Sequence, residues 1–341
     1  MKTLPTIAVV YSLPTKRALA SLYADTEQDT VDSAEEVYGA LKEKGAHPIL
    51  VPIAEDAIRT ISRIRADCIV NLIDWTGLDL PLSDVAFTAI EHTGIPFTGA
   101  TRENYLTTTD KILMKKALEA HKLSTPRWQL FEIGTEPLRR DFTYPAIVKL
   151  AFEHCSIGLT HDAVVNNEQE LAVRVRERMK TFGEPVIAEE FIVGREFQVT
   201  VVERPGGMKI LPTAEIVFDS YGPESLLTWE GRWNETSADY ASSRVVLPTL
   251  TADFRRTIDS VAQRTFRQLE FRDYMRLDIR TRERRIYILE SNSNPGLCDS
   301  DEYGMTVSYK AGGMTFADFV WAIVESALRR FTAPAIAALR R

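Results

Sequence analysis

A chain of 341 residues, 45% apolar and 26% charged, is long enough for two or three subdomains with substantial cores. A formal net charge of −7 excludes a general nucleic-acid binder, which needs a basic surface, but leaves room for a nucleotide pocket built from a few local Lys and Arg. Three distant cysteines (Cys68, Cys155, Cys298) and five scattered histidines exclude a disulfide framework and a zinc site, and fit a reducing cytoplasm.

Residues 6–11 form an apolar run too short for a signal peptide, and no stretch reaches the ~20 apolar residues of a membrane span, so a cytoplasmic protein without a membrane partner is expected. Strands at 6–11 and 48–53 enclose a helix at 31–44 that ends at Gly45, a cap position. A third strand at 68–72, a helix at 85–92 and a tight return at 94–99 follow. This βαβ alternation predicts an α/β unit over about residues 1–100, a parallel sheet with helices on both faces. No G-x-G-x-x-G follows the first strand, which argues against a nicotinamide dehydrogenase.

A helix at 109–121 carries Lys111, Lys115 and Lys116. Strands at 128–132 and 146–149, a helix at 168–180 and a strand at 186–190 then suggest a small α+β middle unit. Strands at 197–202 and 208–217, a long helix at 252–269, a hairpin and a helix at 316–330 make a third unit. Residues 332–341 read as a loose amphipathic tail. No internal repeat is present. The expected boundaries are 1–105, 106–192, 193–331 and the tail 332–341.

The hairpin is the most informative stretch. In 274–280 the alternation puts Arg276 and Asp278 on one side and Met275, Leu277 and Ile279 on the other. In 286–292 Glu290 and Asn292 share a face. Folding the hairpin brings Asp278, Glu290 and Asn292 together as hard oxygen ligands, suited to a Mg²⁺ that keeps several waters and binds nucleotide phosphates. The alternative is a surface hairpin with solvated charges. The Asn-Ser-Asn-Pro-Gly tail of the second strand is unusual for that.

The pattern Arg276-Leu-Asp278, a hairpin, then Glu290-Ser-Asn292-Ser-Asn-Pro295-Gly296 resembles the magnesium-binding end of ATP-grasp enzymes, in the D-alanine–D-alanine ligase branch. The resemblance covers about residues 95–330 well and the first 95 in outline. It implies an ATP-grasp fold with an N-terminal parallel-sheet domain, and a nucleotide bound between the central and C-terminal subdomains. ATP and Mg²⁺ (two ions, with Mn²⁺ able to substitute) are the implied cofactors. Homodimers through the N-terminal domain are common in the family.

By this resemblance Lys149, at the end of a strand, and Lys111, in Thr109-Asp110-Lys111, bind phosphates as point charges. The loop Glu153-His-Cys-Ser156-Ile-Gly158 sits where the family has Glu-Gly-Ser-Ser-x-Gly over the terminal phosphates. His154 and Cys155 depart from that form and reduce backbone freedom. Glu189 faces the adenine amine, the Glu190 carbonyl and Ile192 N–H pair with the ring edge, and Glu196 grips the ribose. Arg232, in Trp229-Glu-Gly-Arg-Trp233, stands where the family has a lysine reaching the γ-phosphate, with a bidentate geometry that lysine lacks. Trp229 and Trp233 either exclude water or pack in the core. Arg276 faces the acyl phosphate and the oxyanion that follows.

The implied activity is ATP-dependent amide formation. A carboxylate attacks the γ-phosphate, and an amine then displaces phosphate from the acyl phosphate. The alternatives are an authentic D-alanine–D-alanine ligase of peptidoglycan precursor synthesis and a non-catalytic ATP-binding regulator. The substrates are small carboxylates and amines of amino-acid type. The family's amine-binding glutamate motif is absent. Glu27 or Asp29 can take its place, or either can be an ordinary helix-start acid. Past Gly296, where the family holds the second substrate's carboxylate, stand Asp299, Ser300, Asp301 and Glu302. Like charges ~4 Å apart at an effective dielectric near 20 repel by roughly 4 kcal/mol. A cationic or uncharged acceptor is therefore expected unless those acids point away. Ser300 fits the D-alanine alternative.

Overall fold

The computed structural model describes residues 4–219 and 225–338, apart from the side chains of Asp25, Glu27 and residues 332–338. Three sheets follow one another along the chain. The first is parallel, with β1 (Thr6–Ser12) between β2 (His47–Ile53) and β3 (Cys68–Leu72). Alternation in β1 sends Ile7, Val9 and Tyr11 to one face and Ala8 and Val10 to the other. Helices Asp29–Glu43 and Phe316–Ala338 cover the first face, while Leu80–His92 and the short turn of helix Ile58–Arg63 cover the second. Helices on both faces are what the βαβ pattern requires.

In the second sheet β4 (Trp128–Phe131), β5 (Ala146–Leu150), β6 (Val164–Val165) and β7 (Val186–Glu190) run in the order β4-β7-β5-β6, all antiparallel. Helix Glu168–Phe182 lays Leu171 and Val175 against Ala146, Val148, Val186 and Ala188. It ends at Gly183, whose φ of +71° makes the left-handed cap that glycine adopts most easily. The period of two then forces Ile147, Lys149 and Glu189 onto the opposite face, which walls a cleft.

The third sheet comprises β8 (Glu196–Arg204), β9 (Gly207–Ile210), β10 (Ala214–Phe218), β11 (Ser243–Val246), β12 (Tyr274–Arg282) and β13 (Arg285–Asn292). Its order is β11-β10-β8-β12-β13, with β9 also paired to β8. Met275, Leu277 and Ile279 are fully buried beneath helix Ala252–Gln268, through Ile258, Ala262 and Phe266. Each such side chain contributes roughly 1.5–3 kcal/mol by leaving water. The other face presents Glu196, Arg276, Asp278 and Arg280 to the same cleft.

Several boundaries differ from the expectation. The single strand at 208–217 is two, β9 and β10, because Pro212 has no N–H to give a ladder. The helix expected at 109–121 is Lys111–Ala120, with Asp110 as its N-cap accepting from the Ile112 and Leu113 N–H groups. Helices Arg102–Thr109 and Gly304–Ala311 were not expected, since the first is too polar to show an apolar stripe and the second too short. The last helix continues to Ala338 rather than stopping at Arg330; the remainder of the expected tail, 339–341, lies outside the described residues.

Candidate functional site

The β12–β13 hairpin sets Asp278 opposite Glu290 and Arg276 opposite Asn292. A β-bulge next to Asp278 lets the consecutive residues Leu289 and Glu290 both line the cleft. Asn292 Nδ2 donates to Asp278 Oδ2 over 3.2 Å. Arg276 donates to Asp278 through Nε (2.9 Å to Oδ1) and Nη2 (3.0 Å to Oδ2). Lys111 Nζ lies 3.5 Å from Glu290 Oε1. Burial opposes charge on both acids. It wins for Asp278, whose carboxyl is raised against the pull of Arg276, whereas Lys111 and Lys149 hold Glu290 well below the usual range.

Among the described residues no three His, Cys, Asp or Glu side chains are arranged to hold a metal ion. The expected set instead combines two carboxylates with one amide. Its chemistry fits a hard divalent cation, because Asp278 and Glu290 repel each other across one ladder position and a dication between carboxylates relieves that.

On the facing wall one buried carboxylate serves two lysines. Lys149 Nζ donates to Glu189 Oε1, and Lys115 Nζ lies 2.6 Å from Glu189 Oε2. The two ammonium groups outweigh burial and hold Glu189 at about 2. Lys149 is raised, because Glu189 and Glu290 overcome the effect of burial. Beside the passage from β7 to β8, Arg280 donates to Glu196 Oε2 (2.7 Å) and the Ile192 carbonyl (3.2 Å), and lies 4.6 Å from the Phe191 ring centroid. Glu190 accepts from Arg282 at 2.7 Å. Phe191 clusters with Ile147 and Leu226, so the passage from β7 to β8 has an apolar slot beside its polar groups.

The 151–159 loop is tied down at several points. Cys155 and Ser156 have φ of +54° and +60°, the region where glycine is easiest, so two non-glycine residues accept the strained geometry here. Ser156 Oγ donates to the Leu227 carbonyl (2.9 Å), and Trp233 Nε1 donates to the Cys155 carbonyl (3.0 Å). Lys111 Nζ donates to the Glu153 carbonyl. His154 Nε2 contacts the Thr109 carbonyl at 2.9 Å, so that nitrogen carries the proton. Burial, aided by Lys111, lowers the His154 pKa to about 4. The Glu153 carboxylate sits where a Cβ on Gly77 would fall, 2.1 Å from its Oε1, and so joins the loop to the first unit.

At the other end of the cleft Arg232 lies in the last turn of the short helix Trp229–Trp233, capped by Thr228. Its guanidinium lies 5.3 Å from the Trp233 ring centroid and 5.8 Å from that of Tyr303. Asp29 lines this end beside Gly296, accepts from Tyr303 Oη at 3.4 Å, and has its carboxyl raised by burial against the pull of Arg232. Asp74, across from it, accepts from Tyr105 Oη at 2.9 Å and is pushed up to about 6 by desolvation. The side chain of Glu27 lies outside the described residues.

The residues lining the cleft do not include Asp299, Ser300 or Asp301 among those described. Asp299 and Asp301 pair with Lys310 at 3.0 and 2.9 Å, and Glu302 accepts from Tyr240. These acids turn to Lys310 and Tyr240 rather than line the cleft, the exception under which a cationic acceptor is not required.

Sequence reasoning passed over Lys115, Arg280 and Asp74. Lys115 carried a signal, one turn beyond Lys111 on the same helix face. Arg280 carried one too, in phase with Arg276 and Asp278 on β12. Asp74 had none, because its place depends on the approach of separate units.

A family model described as D-ala D-ala ligase C-terminus matches residues 119–325. The D-alanine–D-alanine ligase of Cupriavidus metallidurans is 30% identical over 299 residues, covering 85% of this chain and 85% of the relative. That of Bordetella pertussis is 30% identical over 321 residues, covering 89% and 94%. The crystal structure of D-alanine–D-alanine ligase from Bacillus anthracis complexed with ATP superposes with a TM-score of 0.72 at 18% identity, over 97% of this chain and 99% of that one.

Proposed function

The chain belongs to the D-alanine–D-alanine ligase family of ATP-grasp proteins, and from that premise we propose how its cleft carries out the ligation. It is an ATP-dependent carboxylate–amine ligase. Its substrates are small amino acids, and its reaction uses ATP with a divalent metal. We assign residues 1–105 to an N-terminal unit, 106–192 to a central one and 193–331 to a C-terminal one, with the nucleotide between the last two.

The observation that carries the assignment of roles is the ring of cations around Asp278 and Glu290: Lys111, Lys149 and Arg276. Asp278, Glu290 and Asn292 would hold magnesium, two ions with the nucleotide. The metal supplies charge neutralisation on the transferring phosphoryl group. Lys111 and Lys149 orient the phosphates, while Arg276 and Arg232 face the acyl phosphate. The Glu190 and Ile192 backbone and Glu196 hold the nucleoside. Once the substrate carboxylate has taken the γ-phosphoryl group, the acyl phosphate must be kept from water. Ser156, His154 and Trp233 support this by pinning the 151–159 loop over the cleft. The phosphoryl transfer breaks the γ-phosphorus–oxygen bond and releases ADP; the neutral amine then attacks the acyl carbon, the C–N bond forms, and inorganic phosphate leaves with the electrons of the C–O bond and takes up the nitrogen's surplus proton.

Asp29 is suited to the ammonium group of the first amino acid. D-Alanine is the first substrate to try for both positions, since the acids past Gly296 are paired with Lys310. The test is a hydroxylamine trap with Mg-ATP and a panel of carboxylates that includes D- and L-alanine. A hydroxamate that vanishes in Glu290→Gln supports acyl-phosphate chemistry and identifies the acid. ATP binding without hydroxamate or ADP from any acid would overturn the ligase mechanism.

A further inference from the structure

Lys115 is 1% exposed and stands behind Lys149 and Glu189, which line the cleft. Its ammonium group is held at 2.6 Å by Glu189 Oε2 and at 2.7 Å by Thr125 Oγ1, which in turn donates to the Ile288 carbonyl. Glu189 is also 1% exposed, and its other oxygen accepts from Lys149. Three charges thus share one dry pocket, where electrostatic effects are strong. The trio is net positive by one charge. Without Lys115, Glu189 and Lys149 would be a closed neutral pair, and Lys149 would present little field to a phosphate.

We infer that Lys115 is a positioning residue that engages Glu189 so that the charge of Lys149 remains available to nucleotide phosphates. The inference rests on the nucleotide reading above and deepens it. It gives Glu189 a role different from recognising the adenine amine. A polyphosphate should feel the loss of Lys115, whereas a nucleoside should not.

The test is calorimetric binding of ATP and of adenosine to the full chain, without amino acid, in wild type, Lys115→Met and the double variant Lys115→Met/Glu189→Gln. Lys115→Met should weaken ATP by about tenfold and change adenosine by less than about twofold. The double variant should regain most of the ATP affinity, because Lys149 then loses the carboxylate in direct contact with it and keeps only the more distant Glu290. That recovery is not expected of a merely structural lysine. If Lys115→Met does not fold, Lys115→Gln removes the charge while keeping a hydrogen bond to Thr125, and carries the same comparison. Unchanged ATP affinity, equal loss for ATP and adenosine, or a double variant weaker than the single one would each overturn the assignment while leaving the nucleotide site intact. Wild-type protein that bound neither ligand would overturn the nucleotide reading and this assignment with it.

Discussion

Asp278 and Glu290 face each other across the β12–β13 ladder beside a β-bulge, on strands joined by a tight turn. Two acids fixed this way cannot move apart. They need positive charge between or around them, and Arg276 and Lys111 provide it in this structure. The same demand is what a divalent cation would meet.

Glu290→Gln should leave the fold intact and lower amino-acid-dependent ADP release by roughly 10²–10³-fold, the scale of losing one electrostatic group aimed at the transition state. A coupled ADP assay beside a thermal melt checks it. Retained turnover would remove Glu290 from the mechanism.

Gly194 has φ of +156°, and a Cβ there would lie 1.7 Å from the Thr281 carbonyl oxygen. Gly194→Ala must push the β7–β8 passage away from β12. A loss of roughly 2–4 kcal/mol is expected by urea unfolding, with ATP affinity falling too, since Glu190 and Glu196 flank this glycine. Wild-type stability in the variant would contradict the close approach.

His154 is neutral when folded, with its pKa lowered to about 4 from 6.5 by burial and by Lys111. A depressed pKa means that the unfolded chain binds the proton first as pH falls. Its stabilising effect is complete above about pH 6.5 and is lost between there and about pH 4, at most about 3 kcal/mol. His154→Gln, which keeps a donor for the Thr109 carbonyl, should flatten that part of the stability–pH curve. Unfolding midpoints measured from pH 7 to 4 in both proteins decide it.

Tyr23 stacks on Phe182 (6.0 Å between centroids) and meets Trp229 edge-on (5.2 Å), so a residue that follows β1 closes against the helix Glu168–Phe182 and the short helix Trp229–Trp233. Tyr23→Ala should let water reach the acyl phosphate. The ratio of ADP released to amide formed should then rise several-fold while ATP affinity changes little. An unchanged ratio would show that the contact does not exclude water.

Much of the site was legible because strands alternate. Asp278 and Arg276 opposite Met275, Leu277 and Ile279, Glu290 in phase with Asn292, and Lys149 ending an apolar run follow from a period of two and the need to bury one face. Other features escaped for physical reasons. Pro212 divides a run that hydropathy leaves whole, and the polar helix Arg102–Thr109 is held by a Thr101 cap rather than by an apolar stripe.

Local order along the chain therefore settled the parallel first sheet and which side chains look into the cleft from the charged face of β12 and β13 and from the Lys149 wall. Pairing between elements was decided only in three dimensions. Lys115 meets Glu189, Lys310 takes Asp299 and Asp301, Glu153 reaches Gly77, and Asp74 comes to face the site. A backbone period assigns a residue to a face within one element. The partner of a charge depends on the distance and dielectric between elements, and these exist only once the sheets have docked.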